Sequence, residues 1–167
     1  MVRFSDLGVE PGLIDVLQKE GIKEPFEVQE KTIPEALLGR DVCCRAPTGS
    51  GKTLAFGLPL VSLAVKAESK RPTSLILTPT RELAEQIKGV LKPLTDSVGI
   101  GIASVYGGTP YKGQLRSLNK GVEILVACPG RLIDLLERGA LRLDAVGMVV
   151  LDEADRMADM GFMRPVC

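Results

Sequence analysis

The run Ala46-Pro47-Thr48-Gly49-Ser50-Gly51-Lys52-Thr53 constrains this chain more than any other stretch. An apolar run at residues 41–45 precedes it and reads as a buried strand, and an apolar stretch at 54–66 follows and is long enough for a helix. Gly49 and Gly51 let the backbone turn so that consecutive N–H groups face an anion. Lys52 adds a mobile positive charge, and the Thr53 hydroxyl suits a magnesium ion. Strand, glycine turn, lysine and helix in that order predict a phosphate-binding loop of the Walker A kind, with Ala46 where the general pattern has Gly. A glycine turn that only joins strand to helix would account for the glycines but not for Lys52-Thr53.

Apolar periodicity on either side of the loop predicts alternating helices and strands. Helical spacing falls at residues 11–20, ended by Gly21, and again at 28–38, where Pro34 predicts a kink or a fresh start. Strands are predicted at 74–79, 101–106, 123–128 and 146–151, with helices at 81–91, 111–119 and 131–137 between them. The last strand is a continuous apolar run, which predicts burial on both faces. Alternation of this kind implies an α/β fold, a parallel sheet flanked by helices.

Composition excludes several classes. Lys plus Arg equals Asp plus Glu at 21 each, so any nucleic-acid binding has to come from a local patch. With no Trp, two Tyr and four Phe, a surface that grips bases by stacking is not expected. The four cysteines form no Cys-x-x-Cys pair and the chain has no His, which argues against zinc. Cys43, Cys44 and Cys128 lie in apolar runs and read as buried thiols. No segment has signal-peptide or membrane-spanning character, so a reducing cytoplasm is the expected location.

A phosphate loop needs an acid at the end of a neighbouring strand to hold the metal. Asp152 leaves the 146–151 run at that point, and Glu153 beside it can orient and deprotonate an attacking water. An acidic helix cap near Ala154 is the plainer alternative.

Asp152-Glu153-Ala154-Asp155 spells the signature of the DEAD-box RNA helicases, and the chain resembles that family at further points in the same order. Gly21-Ile22-Lys23-Glu24-Pro25-Phe26-Glu27-Val28-Gln29 resembles its Q motif, with Phe4 as the isolated upstream aromatic. The resemblance implies that Gln29 reads adenine, that Phe4 contacts the base, and that Lys23 and Pro25 belong to the same ATP site. Pro79-Thr80-Arg81 resembles motif Ia, Gly107-Gly108 the glycine doublet, and Pro129-Gly130-Arg131 the Pro-Gly-Arg motif. In the family these contact the RNA sugar-phosphate backbone. Helix starts at Arg81 and Arg131 would also offer N–H groups and a guanidinium to phosphates. The sequence departs from the family at Phe26, Glu27 and Cys128, where a small hydroxyl residue, a proline or apolar residue, and threonine are usual.

The resemblance implies a RecA-like P-loop NTPase fold, incomplete at the C-terminus. Residues 1–40 would carry the Q motif and 41–167 a partial ATP-binding domain, within one structural domain. No Ser-Ala-Thr tripeptide follows residue 155, and no second RecA-like lobe. Loss of the strand that leads to that tripeptide is expected to leave backbone groups unpaired and the polypeptide marginally stable or prone to self-association. The expected function is that of an ATP-dependent RNA helicase lobe binding ATP, Mg2+ and RNA, with Lys52, Asp152 and Glu153 as catalytic groups. Hydrolysis and unwinding would need the second lobe, and Lys52 and Asp152 would converge on one magnesium-triphosphate. The alternatives are a non-catalytic nucleotide-binding or protein-interaction module, and a P-loop kinase or other NTPase. The last leaves the Q-like stretch and the Pro-Thr-Arg run unexplained.

Overall fold

The apolar runs that alternate with helical spacing form four short parallel strands in the described part of the chain, β1 (Ser74–Leu77), β2 (Ile102–Val105), β3 (Ile124–Ala127) and β4 (Met148–Leu151). The computed structural model describes residues 2–42, 51–153 and 157. Of the strand expected at 41–45, Asp41 and Val42 are irregular and exposed; residues 43–45, and the loop residues 46–50, lie outside the described ones. The chain divides into two compact units, Met1–Leu63 with Val90–Gly99, and Ala64–Gly89 with Ile100–Cys167.

The described elements of the first unit are helical. A single 3-10 turn (Phe4–Leu7) leads into α1 (Pro11–Lys19), α2 (Glu27–Leu37) and α3 (Lys52–Leu63). Phe4, Leu13, Leu17, Ile33, Leu58 and Leu60 are each at most 2% exposed and make its core. Pro34 neither breaks nor restarts α2, which runs through it. The second half of α4 (Arg81–Val98) belongs here too. That helix outruns its expected end at 91 and passes Pro93, because Leu91 and Leu94 are buried at 0% and 1% exposure. Apolar burial of about 1.5–3 kcal/mol per leucine offsets the hydrogen bond that proline forfeits. Gly99, at φ +75°, then ends it in the left-handed conformation that suits glycine.

At Gly57, α3 approaches α4 closely. A β-carbon there would collide with the side chain of Leu91, which is fully buried and has nowhere to go. Gly57→Ala is expected to destabilise the protein by roughly 1–3 kcal/mol through overpacking, despite alanine's better helix propensity. A thermal melt no lower than the parent's would show that α3 and α4 have slack between them.

The second unit is the sheet, in the order β2-β3-β1-β4 with every pairing parallel. β3 is buried along its whole length, and Leu75, Val105, Leu125 and Ala127 pack with Leu132 and Leu135 of α6 (Pro129–Glu137) and Leu118 of α5 (Tyr111–Lys120). β4 departs from the expectation of burial on both faces. Val149 and Leu151 are 57% and 44% exposed, so its burial alternates. Among the described residues β4 pairs only with β1.

α3 stops at Leu63, not at residue 66, for a long-range reason. The Val65 carbonyl accepts the Thr73 hydroxyl at 2.5 Å, and the Ala67 N–H donates to Glu123 Oε2 at 2.9 Å. Both backbone groups are thereby withdrawn from any further helical turn. No helix among the described residues is long and apolar enough to cross a membrane.

Candidate functional site

The parallel register sets the carboxyl ends of all four strands level. Leu77 of β1 lies beside Ala127 and Leu151, and Ala127 beside Val105. The ladder continues one residue further, with the N–H of Thr78 on Ala127 O, of Cys128 on Val105 O and of Asp152 on Leu77 O, at 2.8–3.0 Å. The segments that follow the strands therefore emerge along a single rim, where ligands of open α/β sheets bind. Pro79-Thr80-Arg81, Gly107-Gly108, Pro129-Gly130-Arg131 and Asp152-Glu153 all lie on that rim.

Asp152 is 6% exposed, and the fully buried Thr78 donates its hydroxyl to Asp152 Oδ2 at 3.4 Å. Nothing in the sequence marked Thr78 beyond its place between a strand and Pro79. Glu153 is half-buried and holds φ +55°, the left-handed region that non-glycine residues rarely occupy. Strain of this kind is stored where surrounding structure over-determines it, frequently at active sites.

On the RNA-like motifs, Thr80 caps α4, its hydroxyl accepting the Leu83 N–H at 3.2 Å. Arg81 opens that helix, exposed, with its guanidinium 5.5 Å from the Tyr106 ring centre. Pro129 is the first residue of α6, where a missing N–H costs nothing. Arg131 sits two residues further, half-buried and bound within the protein. Gly107 and Gly108 are exposed, and Gly108 needs glycine for its φ of +80°.

Glu85, unmarked by any motif, accepts the Tyr106 hydroxyl at 2.7 Å and the Ser104 hydroxyl at 2.8 Å. The Tyr106 bond chiefly, with Ser104 adding to it, holds the Glu85 carboxyl below its ordinary 4.5. The same bond, more than burial, pushes the Tyr106 phenol up. A depressed folded pKa means stability that is present above about pH 4.5 and lost as pH falls through the folded value. Glu85→Gln is expected to flatten the acid limb of the stability profile below that pH. The effect should stay under about 1 kcal/mol, since Glu85 is exposed and screened. An acid limb as steep as the parent's would remove Glu85 from the account. Burial raises the Cys128 thiol to about 11, so it is protonated and unreactive at neutral pH.

In the first unit, Gln29 is 1% exposed and Pro25 buried, while Lys23 is exposed. Gln29 Oε1 accepts the Phe26 N–H at 2.9 Å, and Nε2 donates to Gly51 O at 3.0 Å. The Q-like stretch thus touches the end of the glycine loop directly. A β-carbon on Gly51 would collide with Gln29 and Phe26, and its φ is +80°. Lys52 and Thr53, both half-buried, begin α3. Phe4 is 2% exposed, a core residue of this unit. Pro47, Thr48, Gly49 and Ser50 fall outside the described residues.

Comparison with known proteins covers both units. The chain is 43% identical, over 98% of its length, to DEAD-box ATP-dependent RNA helicase 9, mitochondrial, of Arabidopsis thaliana, and spans 27% of it. It is 42% identical, again over 98% of its length, to ATP-dependent RNA helicase RhlB of Proteus mirabilis, and spans 39% of that protein. Among solved structures it resembles the RNA helicase Prp28 of Chaetomium thermophilum bound to ADP (TM-score 0.88, 41% identity, 97% of this chain and 41% of that one). It also resembles a DEAD box protein of Methanococcus jannaschii (TM-score 0.90, 35% identity, 98% and 44%). The fold expected from the resemblance, a RecA-like parallel sheet with helices, is the fold these neighbours share. Residues 26–166 match the profile of the DEAD/DEAH box helicases, and on that match the chain belongs to this family.

Proposed function

We propose that this chain is the ATP-binding and RNA-facing lobe of an ATP-dependent RNA helicase. The observation that carries the proposal is the common rim, which gathers Asp152-Glu153 and the three segments Pro79-Thr80-Arg81, Gly107-Gly108 and Pro129-Gly130-Arg131 at the carboxyl ends of one sheet. The relatives are named as ATP-dependent RNA helicases, and the chain spans 26–39% of their length. A second RecA-like lobe is proposed to supply the remaining catalytic groups. A reducing, cytoplasmic setting is proposed with this function.

The residues present suit ATP and magnesium. Gly51 leaves no room for a side chain because Gln29 and Phe26 pack against it, which couples the Q-like stretch to the end of the glycine loop. Asp152 offers a buried oxygen donor beside a hydroxyl, the ligand type magnesium prefers. Magnesium, when bound, would neutralise phosphate charge. Lys52 is assigned to the phosphates as a point charge, and Thr53 and Asp152 to the metal. Glu153 is assigned to take the proton of the attacking water. An amide has a second N–H and a second lone pair beyond those Gln29 spends on Gly51 and Phe26, and these are assigned to adenine. Lys23 and Pro25 are assigned to the same ATP site and Phe4 to the base. Arg81, Gly107, Gly108 and Gly130, with Pro79, Thr80, Pro129 and Arg131 shaping their segments, are assigned to the RNA backbone.

The deciding experiment is ATP hydrolysis by the full gene product with and without single-stranded RNA. Hydrolysis stimulated by RNA and selective for ATP over GTP is expected. Equal use of both nucleotides, indifferent to RNA, would favour a general NTPase.

A further inference from the structure

The glycine doublet is tied down by a side chain that no motif marks. Gln114, on α5, donates through Nε2 to the Tyr106 carbonyl at 3.1 Å and to Thr109 Oγ1 at 2.6 Å. It thereby joins the two residues that bracket Gly107 and Gly108. Thr109 Oγ1 closes the same ring by donating to the Tyr106 carbonyl at 3.2 Å. On its other side Gln114 Oε1 accepts from Arg131 Nη1 at 2.9 Å, and Arg131 Nη2 donates to the Thr109 carbonyl at 3.0 Å. The Tyr111 ring backs this guanidinium, 4.0 Å from its carbon, and Arg138 lies 4.2 Å from the same ring.

We propose that Gln114 and Arg131 form a clamp that sets the Gly107-Gly108 loop for an RNA phosphate, which makes Arg131 a positioning residue and not itself the phosphate ligand. The inference rests on reading the rim as RNA-binding. Gly107 and Gly108 are exposed, and nothing lies near where a side chain would be, so the loop has no packing of its own. Two adjacent glycines lose the most conformational freedom on binding. Fixing them beforehand removes that cost from the complex. Arg131 spends its planar fork edge-on within the protein, half-buried, whereas Arg81 is exposed on the same rim. Only a carboxamide serves at position 114, because it must accept from Arg131 and donate to the loop at once. Glutamate would keep the shape and the Arg131 contact but could donate nothing.

The test uses the full gene product, a single-stranded oligouridine RNA, and affinity measured across a range of salt. Gln114→Glu and Arg131→Gln are each expected to weaken RNA binding about tenfold. Both should leave nucleotide affinity, and the slope of log affinity against log salt, as in the parent. Arg81→Ala should lower that slope by about 0.7, the mark of one lost phosphate contact on a single strand. RNA binding unchanged in Gln114→Glu overturns the clamp, and a slope lowered by about 0.7 in Arg131→Gln makes Arg131 a direct ligand. If Arg81→Ala also changes nothing, the RNA reading of the rim fails, and amide hydrogen exchange without RNA judges the clamp alone. Gly107 and Gly108 exchanging about tenfold faster in Gln114→Glu, with β1–β3 amides unchanged, supports it, and parental exchange rates sink it.

Discussion

Glu153→Gln in the full gene product is expected to lower RNA-stimulated ATP turnover roughly 10²–10⁴-fold while ATP still binds, the range that loss of a general base produces. β4 delivers Asp152 to the rim, and the left-handed φ of +55° at Glu153 turns the next carboxylate away from the strand's course. The substitution keeps volume and hydrogen-bonding shape and removes only the capacity to take a proton. Binding and turnover therefore separate: nucleotide affinity within about threefold of the parent, with turnover nearly gone. Asp152→Asn should behave differently, losing metal-dependent binding as well. Parental turnover in Glu153→Gln would mean that the proton goes elsewhere and that the strained backbone has another cause.

Glu123→Ala is expected to cost roughly 2–5 kcal/mol of stability, a large share of what a domain of this size has. Glu123 is 8% exposed, and its two carboxylate oxygens serve different segments. Oε2 takes the Ala67 N–H at 2.9 Å, and Oε1 takes the Gly101 N–H at 2.7 Å. Its carbonyl receives the N–H groups of Thr73 and Ser74 at 3.1 and 2.9 Å. One residue therefore ties together the approaches to β1, β2 and β3. Alanine would strand two sheltered N–H donors, and each such donor costs about 1–3 kcal/mol. Glu123→Gln keeps one acceptor and turns an NH2 group against the other donor, so it should fall between parent and alanine. Urea unfolding reads all three. An alanine variant within about 0.5 kcal/mol of the parent would show that water replaces the carboxylate at little cost.

These two acids were not equally legible. Glu153 stood in a four-residue signature after an apolar run, and its neighbours in sequence sufficed to single it out. Glu123 read as an ordinary charged residue at the start of a strand, because the two N–H groups it serves lie 56 and 22 positions away. Gln114 was missed for the same reason. Its partners lie in two segments, the 106–109 loop and Arg131 of α6, and only the folded chain brings both to one amide.

What residues alone determined was the alternation of helices and strands, and hence the parallel sheet. A period of two or of 3.6 is written locally, and glycine and proline punctuate it wherever they stand. Because consecutive parallel strands need a crossover, commonly a helix, the same pattern sets the motif residues at strand ends. Tertiary structure alone decided the order β2-β3-β1-β4, the early stop of α3 and the passage of α4 through Pro93. Each of these turns on a hydrogen bond or an apolar contact between residues far apart in sequence, and local periodicity carries no term for such partners.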